Sequence, residues 1–226
     1  MILDAGGGLG RYSIELGKSG HDVVLLDLSP EMLEISRDQA RKSRVQHRVR
    51  QIIQGSIDDL SRFNDETFDA VICLGGALCH IVDETRREGA IDELVRVLKK
   101  GSPIFVSVIG RLAVLVNQLV LFPEQIEIRE VFQRVRDIGD YYGGYGFAPC
   151  HFYLPEEMKE SFEERRVEVL ELVGLEGLAS EHQKETNSLA REYPEAWKVW
   201  WNTHLGTCTH PASVGISEHF MIIGRK

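Results

Sequence analysis

The first 27 residues constrain the fold more than any other stretch of this chain. An apolar start runs into a glycine-dense turn over 6–10, a helix is predicted over 11–19, and a second apolar strand over 22–26 ends at Asp27. Glycines let a ligand approach the backbone where a Cβ would clash, and a helix start carries a partial positive charge. An acid at the tip of the second strand is placed to accept ribose hydroxyls. This order predicts a nucleoside-containing ligand at the carboxyl ends of parallel strands.

The rest of the first half continues the alternation of strands and helices. Ser29 and Pro30 form a helix start, with a hydroxyl cap and a proline at the first helical position, and that helix is predicted to reach residue 42. Apolar runs and helical periodicity predict strands over 49–54, 69–74 and 103–109 and a helix over 84–100. The pattern predicts an α/β fold with a Rossmann-like, doubly wound, mostly parallel sheet. A last apolar strand over 217–224, next to the strand predicted over 167–173 and followed by no crossover helix, indicates a terminal antiparallel strand.

The length of the chain predicts a single domain over residues 1–226. Residues 111–149 break the alternation with an apolar run, a charged stretch and a cluster of tyrosines and glycines. An insertion that follows the strand over 103–109 would lie over the carboxyl edge of the sheet, so we expect a helical lid there. A buried strand usually has about five residues, and only residues 2–4 precede the first turn. We therefore expect the N-terminus to be clipped.

Composition excludes some classes of partner. The formal net charge of −9 disfavours a nucleic-acid backbone as the main partner. The apolar run over 112–122 is short and interrupted by Asn117 and Gln118, so no membrane partner is expected. The four cysteines form no C-x-x-C pair, which predicts reduced thiols, a cytoplasmic location and no metal site.

The spacing of the glycines indicates which nucleoside cofactor is expected. A dinucleotide site usually has the spacing G-x-G-x-x-G, whereas residues 4–10 read DAGGGLG, with alternating Gly6, Gly8 and Gly10. Asp4 would repel a pyrophosphate but would suit a cofactor that carries an ammonium and a sulfonium. The segment resembles the first motif of class I S-adenosylmethionine-dependent methyltransferases. The second half is loosely similar to the small-molecule type, through His151, Phe152, Tyr153 and the last strand.

The resemblance assigns expected roles at the cofactor. Asp4 would face the ammonium of S-adenosylmethionine, and the backbone of Gly6 and Gly8 would approach its methionyl part. Asp27 would bind the ribose, with the side chains of Leu28 and Met32 packing beside the adenosine.

Two further segments match the family at the next strand ends. Many members carry an acid after the glycine that ends the third strand, whereas this chain has Ser56 after Gly55. The Ser56 hydroxyl or the Ile57 backbone is therefore expected to contact adenine. Leu74 and Gly75, which end the fourth strand, are expected to lie against the methionyl chain.

Candidate catalytic residues are histidines near the expected methyl position. His80 is the first candidate for a general base, because it follows the fourth strand, and a histidine that caps a helix start is the alternative. His151, at the rim of the expected lid, is the second candidate. Arg111 would either meet a substrate carboxylate or be solvated.

Aromatic residues leave two interpretations open. Tyr142, Tyr145 and Tyr153 would either line a pocket for a flat acceptor or pack the lid. The stripe on the helix predicted over 194–204 is expected to pack in the core; it consists of Trp197, Trp200, Trp201 and His204.

The resemblance implies transfer of a methyl group from S-adenosylmethionine to a small-molecule acceptor by in-line displacement. Two other classes stay open on the residues alone. One is an NAD(P)-dependent oxidoreductase, since Asp27 lies near the spacing expected of a ribose acid. The other is a non-catalytic nucleoside-binding protein. The oligomeric state is left open.

Overall fold

A seven-stranded sheet forms the centre of the structure, a computed structural model that describes residues 1–144 and 146–226. Its strands are β1 (Ile2–Ala5), β2 (Val23–Asp27), β3 (Val49–Gln54), β4 (Ala70–Cys73), β5 (Pro103–Ile109), β8 (Glu168–Gly174) and β9 (His219–Arg225). The order across the sheet is β3-β2-β1-β4-β5-β9-β8. A separate two-stranded ribbon pairs β6 (Asp140–Tyr141) with β7 (Cys150–His151).

The strand directions confirm the predicted fold class. Strands β1 to β5 pair in parallel, and β9 pairs antiparallel with both β5 and β8. The terminal antiparallel strand is therefore confirmed, and it lies inside the sheet, so that β8 is the outermost strand. Because β9 runs opposite to β5, its first residue, His219, lies beside Ile109 at the carboxyl end of β5.

Helices cover both faces of the sheet and the edge where the parallel strands end. They are α1 (Arg11–Lys18), α2 (Pro30–Lys42), α3 (Glu84–Val97), α4 (Arg111–Leu121), α5 (Glu124–Glu127), α6 (Arg129–Ile138), α7 (Pro155–Glu163), α8 (Gln183–Glu192), α9 (Pro194–Thr207) and α10 (Pro211–Ile216). Local signals start two of them: the hydroxyl of Ser29 accepts from the Met32 N–H at 3.2 Å, and the carboxylate of Asp83 accepts from the Arg86 N–H at 2.9 Å.

The core lies on both sides of the sheet. On one side, fully buried residues of β1, β4 and β5 pack against α3 and α7, among them Leu3, Val71 and Phe162. On the other side, Leu25 packs with Leu33 of α2. All four cysteines are buried and free.

Two insertions lie at the carboxyl edge. The expected helical insertion is present as α4, α5, α6 and β6, which follow β5; we call residues 111–149 the lid segment. A second insertion carries α8, α9 and α10 between β8 and β9. The sequence did not predict that this insertion lies over the carboxyl edge. The prediction that the tryptophans of α9 pack in the core is wrong, because α9 has no buried residue.

Across the described residues, no helix is both long and apolar enough to cross a bilayer.

Candidate functional site

The strand register brings the predicted cofactor residues to one edge of the sheet. Ala5 of β1 pairs with Leu26 of β2, and Asp27 of β2 pairs with Gln54 of β3. The glycine turn after β1, the acid at the end of β2 and the loops after β3 and β4 therefore lie side by side. This is the edge at which open α/β sheets bind their ligands.

The backbone N–H groups of the glycine turn are bonded within the protein. Gly6 and Gly7 both donate to the Leu26 carbonyl, at 2.7 and 3.1 Å. Gly8 donates to Asp27 Oδ2 at 2.8 Å, and Gly10 donates to the Gly7 carbonyl at 2.9 Å. These groups are not directed at a phosphate, so the turn differs from a pyrophosphate cradle.

Gly6 allows the loop after β4 to approach the turn closely. Its φ is +76°, and a Cβ built there would lie 2.4 Å from the Cβ of Ala77. A side chain at this position would push the loop that follows Gly75 away from the glycine turn at the carboxyl edge of the sheet.

Asp4 is a buried carboxyl group with one unpaired oxygen. Its side chain lies below the turn and is 1% exposed as a residue. Oδ2 accepts hydrogen bonds from the N–H and hydroxyl of Ser13, at 3.1 and 2.7 Å, whereas Oδ1 has no partner among the described residues. Burial raises the pKa of Asp4 to about 6, against the opposing effect of the Ser13 hydrogen bonds. An unpaired, buried carboxylate oxygen suits a ligand that carries a positive charge.

Asp27 lies at the tip of β2 with both oxygens oriented by the backbone. Oδ1 accepts from the Ser29 N–H at 2.9 Å, and Oδ2 accepts from Gly8. Each carboxylate oxygen can accept more than one hydrogen bond, so both remain able to bind a vicinal diol. The neighbouring apolar side chains of Leu28 and Met32 are 66% and 42% exposed, and they offer an uncovered surface for a flat ring.

The loop after β3 lines a cavity of about 360 Å³ beside the end of β2. Ser56 faces this cavity, whereas the side chain of Ile57 is buried in the core, so that only the Ile57 backbone is available to a ligand. Asp58 is already bonded to Arg86 at 2.8 Å. Although burial raises the pKa of Asp58, hydrogen bonds from Ser56 and Arg86 hold it below its usual value.

The loop after β4 is exposed at Gly75 and half-buried at Leu74. The Gly75 N–H donates to the buried hydroxyl of Ser107 at 2.9 Å, which ties this loop to β5. His80 ends the short turn that follows, and its side chain is exposed. Its Nδ1 lies 3.1 Å from the Pro149 carbonyl, and it does not cap α3, because Asp83 does.

His151 is buried, and each of its ring nitrogens contacts a carboxylate. Its Nδ1 lies 2.7 Å from Asp140 Oδ1, and its Nε2 lies 2.7 Å from Glu157 Oε1. Arg111 Nη2 lies 2.6 Å from Glu157 Oε2. Both imidazole nitrogens are engaged, so this geometry does not support His151 as a general base. Both expectations for Arg111 are wrong, because it is buried in this network and is neither solvated nor free for a substrate carboxylate.

The tyrosines divide between the lid segment and the core. Tyr142 is 60% exposed and stacks under the guanidinium of Arg134 at 5.0 Å. Tyr153 is fully buried, and its hydroxyl has no partner within the described part of the chain. Tyr145 lies outside the described residues.

A cavity of about 380 Å³ separates the lid segment from the carboxyl end of β5, and we call it the lid cavity. Its apolar wall consists of Ile109, Val114, Phe122, Tyr141, Phe147 and Phe152. Asn117, Gln118, Gln125, Glu218 and His219 supply its polar groups.

His219, in the wall of the lid cavity, is a candidate catalytic residue that the sequence did not predict. A terminal antiparallel strand must begin at the carboxyl edge of the sheet, so its first residues face the same side as the glycine turn. That signal was available in the predicted last strand, but the partner of His219, Glu176, could not be identified without the fold.

Comparisons with known proteins agree with this geometry. Residues 2–101 match a family model described as a methyltransferase domain. A glycine/sarcosine N-methyltransferase of Aphanothece halophytica is 35% identical over 98 residues, which cover 43% of this chain and 36% of that protein. A ubiquinone biosynthesis O-methyltransferase of Xanthomonas oryzae is 34% identical over 112 residues, which cover 49% of this chain and 43% of that protein. The chain thus spans roughly two fifths of the length of these relatives.

A solved structure extends the fold comparison to the whole chain. A SAM-dependent methyltransferase of Methanosarcina mazei superimposes with a TM-score of 0.66 at 20% identity, covering 100% of this chain and 91% of the other. At 20% identity this similarity shows a shared fold and nothing further.

Proposed function

We infer that the chain belongs to the class I S-adenosylmethionine-dependent methyltransferases and that it transfers a methyl group from S-adenosylmethionine to a small-molecule acceptor. The observation that carries the proposal is the unpaired, buried Oδ1 of Asp4 beside a glycine turn whose N–H groups are already bonded. That combination favours a cationic ligand over an anionic one. The alternative of a dinucleotide-dependent oxidoreductase lacks a comparable supporting feature.

The residues present fit the cofactor. Asp4 would hold its ammonium, Gly6 and Gly8 would lie against the methionyl part, and Asp27 would hold the ribose hydroxyls. Leu28, Met32, Ser56 and the Ile57 backbone would contact the adenosine, with Leu74 and Gly75 on the methionyl side. When bound, the cofactor supplies a methyl group that its sulfonium already activates.

The remaining task of the protein is to orient the acceptor and to exclude water. The lid cavity, at the carboxyl end of β5, is the proposed acceptor site, and the lid segment is its proposed cover. A base is needed where the acceptor must lose a proton. His80, on the exposed loop after β4, and His219, in the wall of the lid cavity, are the candidates that the geometry leaves.

The proposed acceptor is a small molecule and not a nucleic acid. The net charge of −9 supports this, since binding several phosphates would oppose the protein's own field. One relative is named for an amine acceptor and the other for an oxygen acceptor, so their names do not decide which atom is methylated. Four free cysteines support a reducing, cytoplasmic setting.

Calorimetric titration tests the cofactor assignment directly. S-adenosylmethionine is expected to bind and NAD is not, and labelled methyl groups are expected in the small-molecule fraction of a metabolite extract. Binding of NAD alone would contradict the proposal. Cofactor binding without turnover on any extract fraction would favour a non-catalytic nucleoside-binding protein.

Asp27→Ala is expected to weaken S-adenosylmethionine binding by about 10- to 100-fold. A carboxylate that accepts two hydroxyl hydrogen bonds is worth about 1.5–3 kcal/mol. The control is Asp38→Asn, an exposed acid on α2 that is bonded to Arg41. A dissociation constant for Asp27→Ala within twofold of the wild type would contradict the ribose assignment.

Hydrogen exchange tests whether the lid segment moves. Amides over 111–149 are expected to exchange faster than those of β4 in the free protein and to slow when S-adenosylhomocysteine binds. The short helices and the exposed apolar side chains of α4, such as Leu119 and Val120, motivate this expectation. Protection of the free lid segment equal to that of β4 would contradict a moving cover.

A further inference from the structure

The lid cavity contains polar groups that nothing in the described protein satisfies. Gln118 is 4% exposed, and its Nε2 donates to Gln125 Oε1 at 3.4 Å, whereas its Oε1 has no partner. The Oδ1 of Asn117 is likewise buried without a partner. A buried carboxamide with one open end favours a ligand that brings its own hydrogen-bonding groups. The aromatic wall around them favours a flat, mostly apolar ligand.

His219 stands in the wall of this cavity and is held by a carboxylate. Its Nδ1 lies 3.1 Å from Glu176 Oε1, and its backbone N–H donates to Glu176 Oε2 at 2.7 Å. The Ser217 hydroxyl bonds Glu176 Oε2 from the other side, at 3.2 Å. A carboxylate on Nδ1 keeps the proton of a neutral imidazole at that nitrogen, so the lone pair is on Nε2. Nε2 has no protein partner in the described part of the chain.

We propose that His219, oriented by Glu176, is the general base of the methyl transfer, and that the acceptor is a compact aromatic molecule whose hydroxyl enters the lid cavity. This rests on the proposed function. The acceptor oxygen forms a bond to the methyl carbon while the carbon–sulfur bond breaks, and that electron pair stays on sulfur. The hydroxyl proton passes to His219 Nε2. A hydroxyl that keeps its proton is a poor nucleophile, so an oriented base in the cavity wall suits a hydroxyl acceptor, whereas an aniline attacks through a free lone pair and needs no such base.

The position of His219 distinguishes it from His80. His219 lines the lid cavity and pairs with Ile109 at the end of β5. His80 is exposed, and its Nδ1 is engaged by the Pro149 carbonyl. The side chain that combines a place in the cavity wall with an orienting carboxylate is therefore His219.

The charged groups around His219 define the expected pH dependence. Glu176 follows the end of β8 and contacts His219, and Glu218 precedes His219 in the chain. His219 also lines a second cavity, which α9 borders, and the other charged groups of that cavity are Glu181, Lys184 and Glu185. The hydrogen bond to Glu176 raises the pKa of His219 above 6.5, against the effect of burial, and Glu218 raises it further. The rate should therefore rise with pH through a midpoint above 6.5, since the base must be neutral.

The experiment compares the wild type with His219→Asn, Glu176→Gln and the control His47→Gln, an exposed histidine before β3. The probes are labelled S-adenosylmethionine and a panel of mono- and dihydroxybenzenes with matched anilines and benzylamines. Label is expected in the hydroxybenzenes. His219→Asn should lower kcat by about 100-fold or more and leave the cofactor dissociation constant within twofold. Glu176→Gln should move the rising limb of the kcat–pH profile to lower pH.

An imidazole NMR titration gives a measurement that does not depend on turnover. The pKa of His219 is expected above 6.5 in the wild type and lower in Glu176→Gln, and hydroxybenzenes should shift the resonances of His219 and Gln118. The inference is overturned if Glu176→Gln leaves that pKa unchanged, if His219→Asn keeps kcat within threefold, or if amines alone are labelled. It is also overturned if hydroxybenzenes neither accept label nor shift those resonances. Failure of the proposed function would appear separately, as absence of cofactor binding in the wild type.

Discussion

Glu157→Ala is expected to lower the free energy of unfolding by about 3–5 kcal/mol, because it leaves the buried guanidinium of Arg111 without its carboxylate and the buried ring of His151 without a hydrogen-bond partner. The side chains of Arg111 and His151 are 6% and 2% exposed, and both bond to Glu157. The pKa of Glu157 reflects these partners: burial raises it, but His151 and Arg111 hold it below its ordinary value. Urea denaturation at pH 7 measures the loss.

The neighbouring Glu156 provides a matched control. It is an exposed acid in the first turn of the same helix, α7. Glu156→Ala therefore removes a similar favourable interaction with the helix dipole and should cost less than about 1 kcal/mol. Equal losses for the two variants would show that the buried network does not stabilise the fold.

The network matters for function because of what it joins. Arg111 begins the lid segment, Asp140 lies near its end, and His151 and Glu157 belong to the elements that follow. The contacts among these four side chains hold the two ends of the lid segment together. Motion of the lid segment is then expected in its middle, over α4 to α6, with fixed ends.

Local signals in the sequence predicted the fold up to β5. The bounds of α2, β3 and β5 agree with the structure to the residue, because a cap, a glycine exit and a continuous apolar run are each encoded within a few positions. The cofactor edge was predictable for the same reason. Parallel strands that alternate with helices must end at one edge, which places Asp4 and Asp27 together.

Contacts between distant segments were not predictable. Arg111 and Glu157 are separated by 46 positions, and Glu176 and His219 by 43. No pattern within a few positions of either residue identifies its partner. The tryptophan stripe of α9 had a clear periodicity, but periodicity identifies a face and does not say whether another element covers it. In this chain that face borders an open cavity between the second insertion and the end of α4.

Affinity for S-adenosylmethionine is expected to fall as pH is lowered through the pKa of Asp4. That pKa is about 6 in the free protein, and a bound ammonium would favour the carboxylate. Below pH 6 binding must expel a proton, so the dissociation constant should rise about tenfold between pH 7.5 and pH 5. Asp4→Asn should weaken binding at pH 7.5 by about 10- to 100-fold and abolish this pH dependence.

Calorimetry in two buffers of different ionisation enthalpy gives an independent measurement. Near pH 5.5 the wild type should release a proton on binding the cofactor, and Asp4→Asn should release fewer. Asp38→Asn again serves as the control. A wild-type dissociation constant that is constant from pH 5 to 7.5 would contradict a carboxylate–ammonium contact at Asp4.

The same carboxyl group should make the free protein less stable at neutral pH. The folded state holds the Asp4 proton more tightly than the unfolded chain, since its pKa is raised from 3.8 to about 6. Stability from this group is therefore greatest below pH 3.8 and is lost as pH rises to 6, by about 3 kcal/mol. Asp4→Asn should then stabilise the free protein at pH 7.5 and weaken its cofactor binding, measured by urea denaturation with and without S-adenosylmethionine. Destabilisation of the free protein by this variant at pH 7.5 would show that Asp4 stabilises the fold, and would contradict its assignment to a cationic ligand.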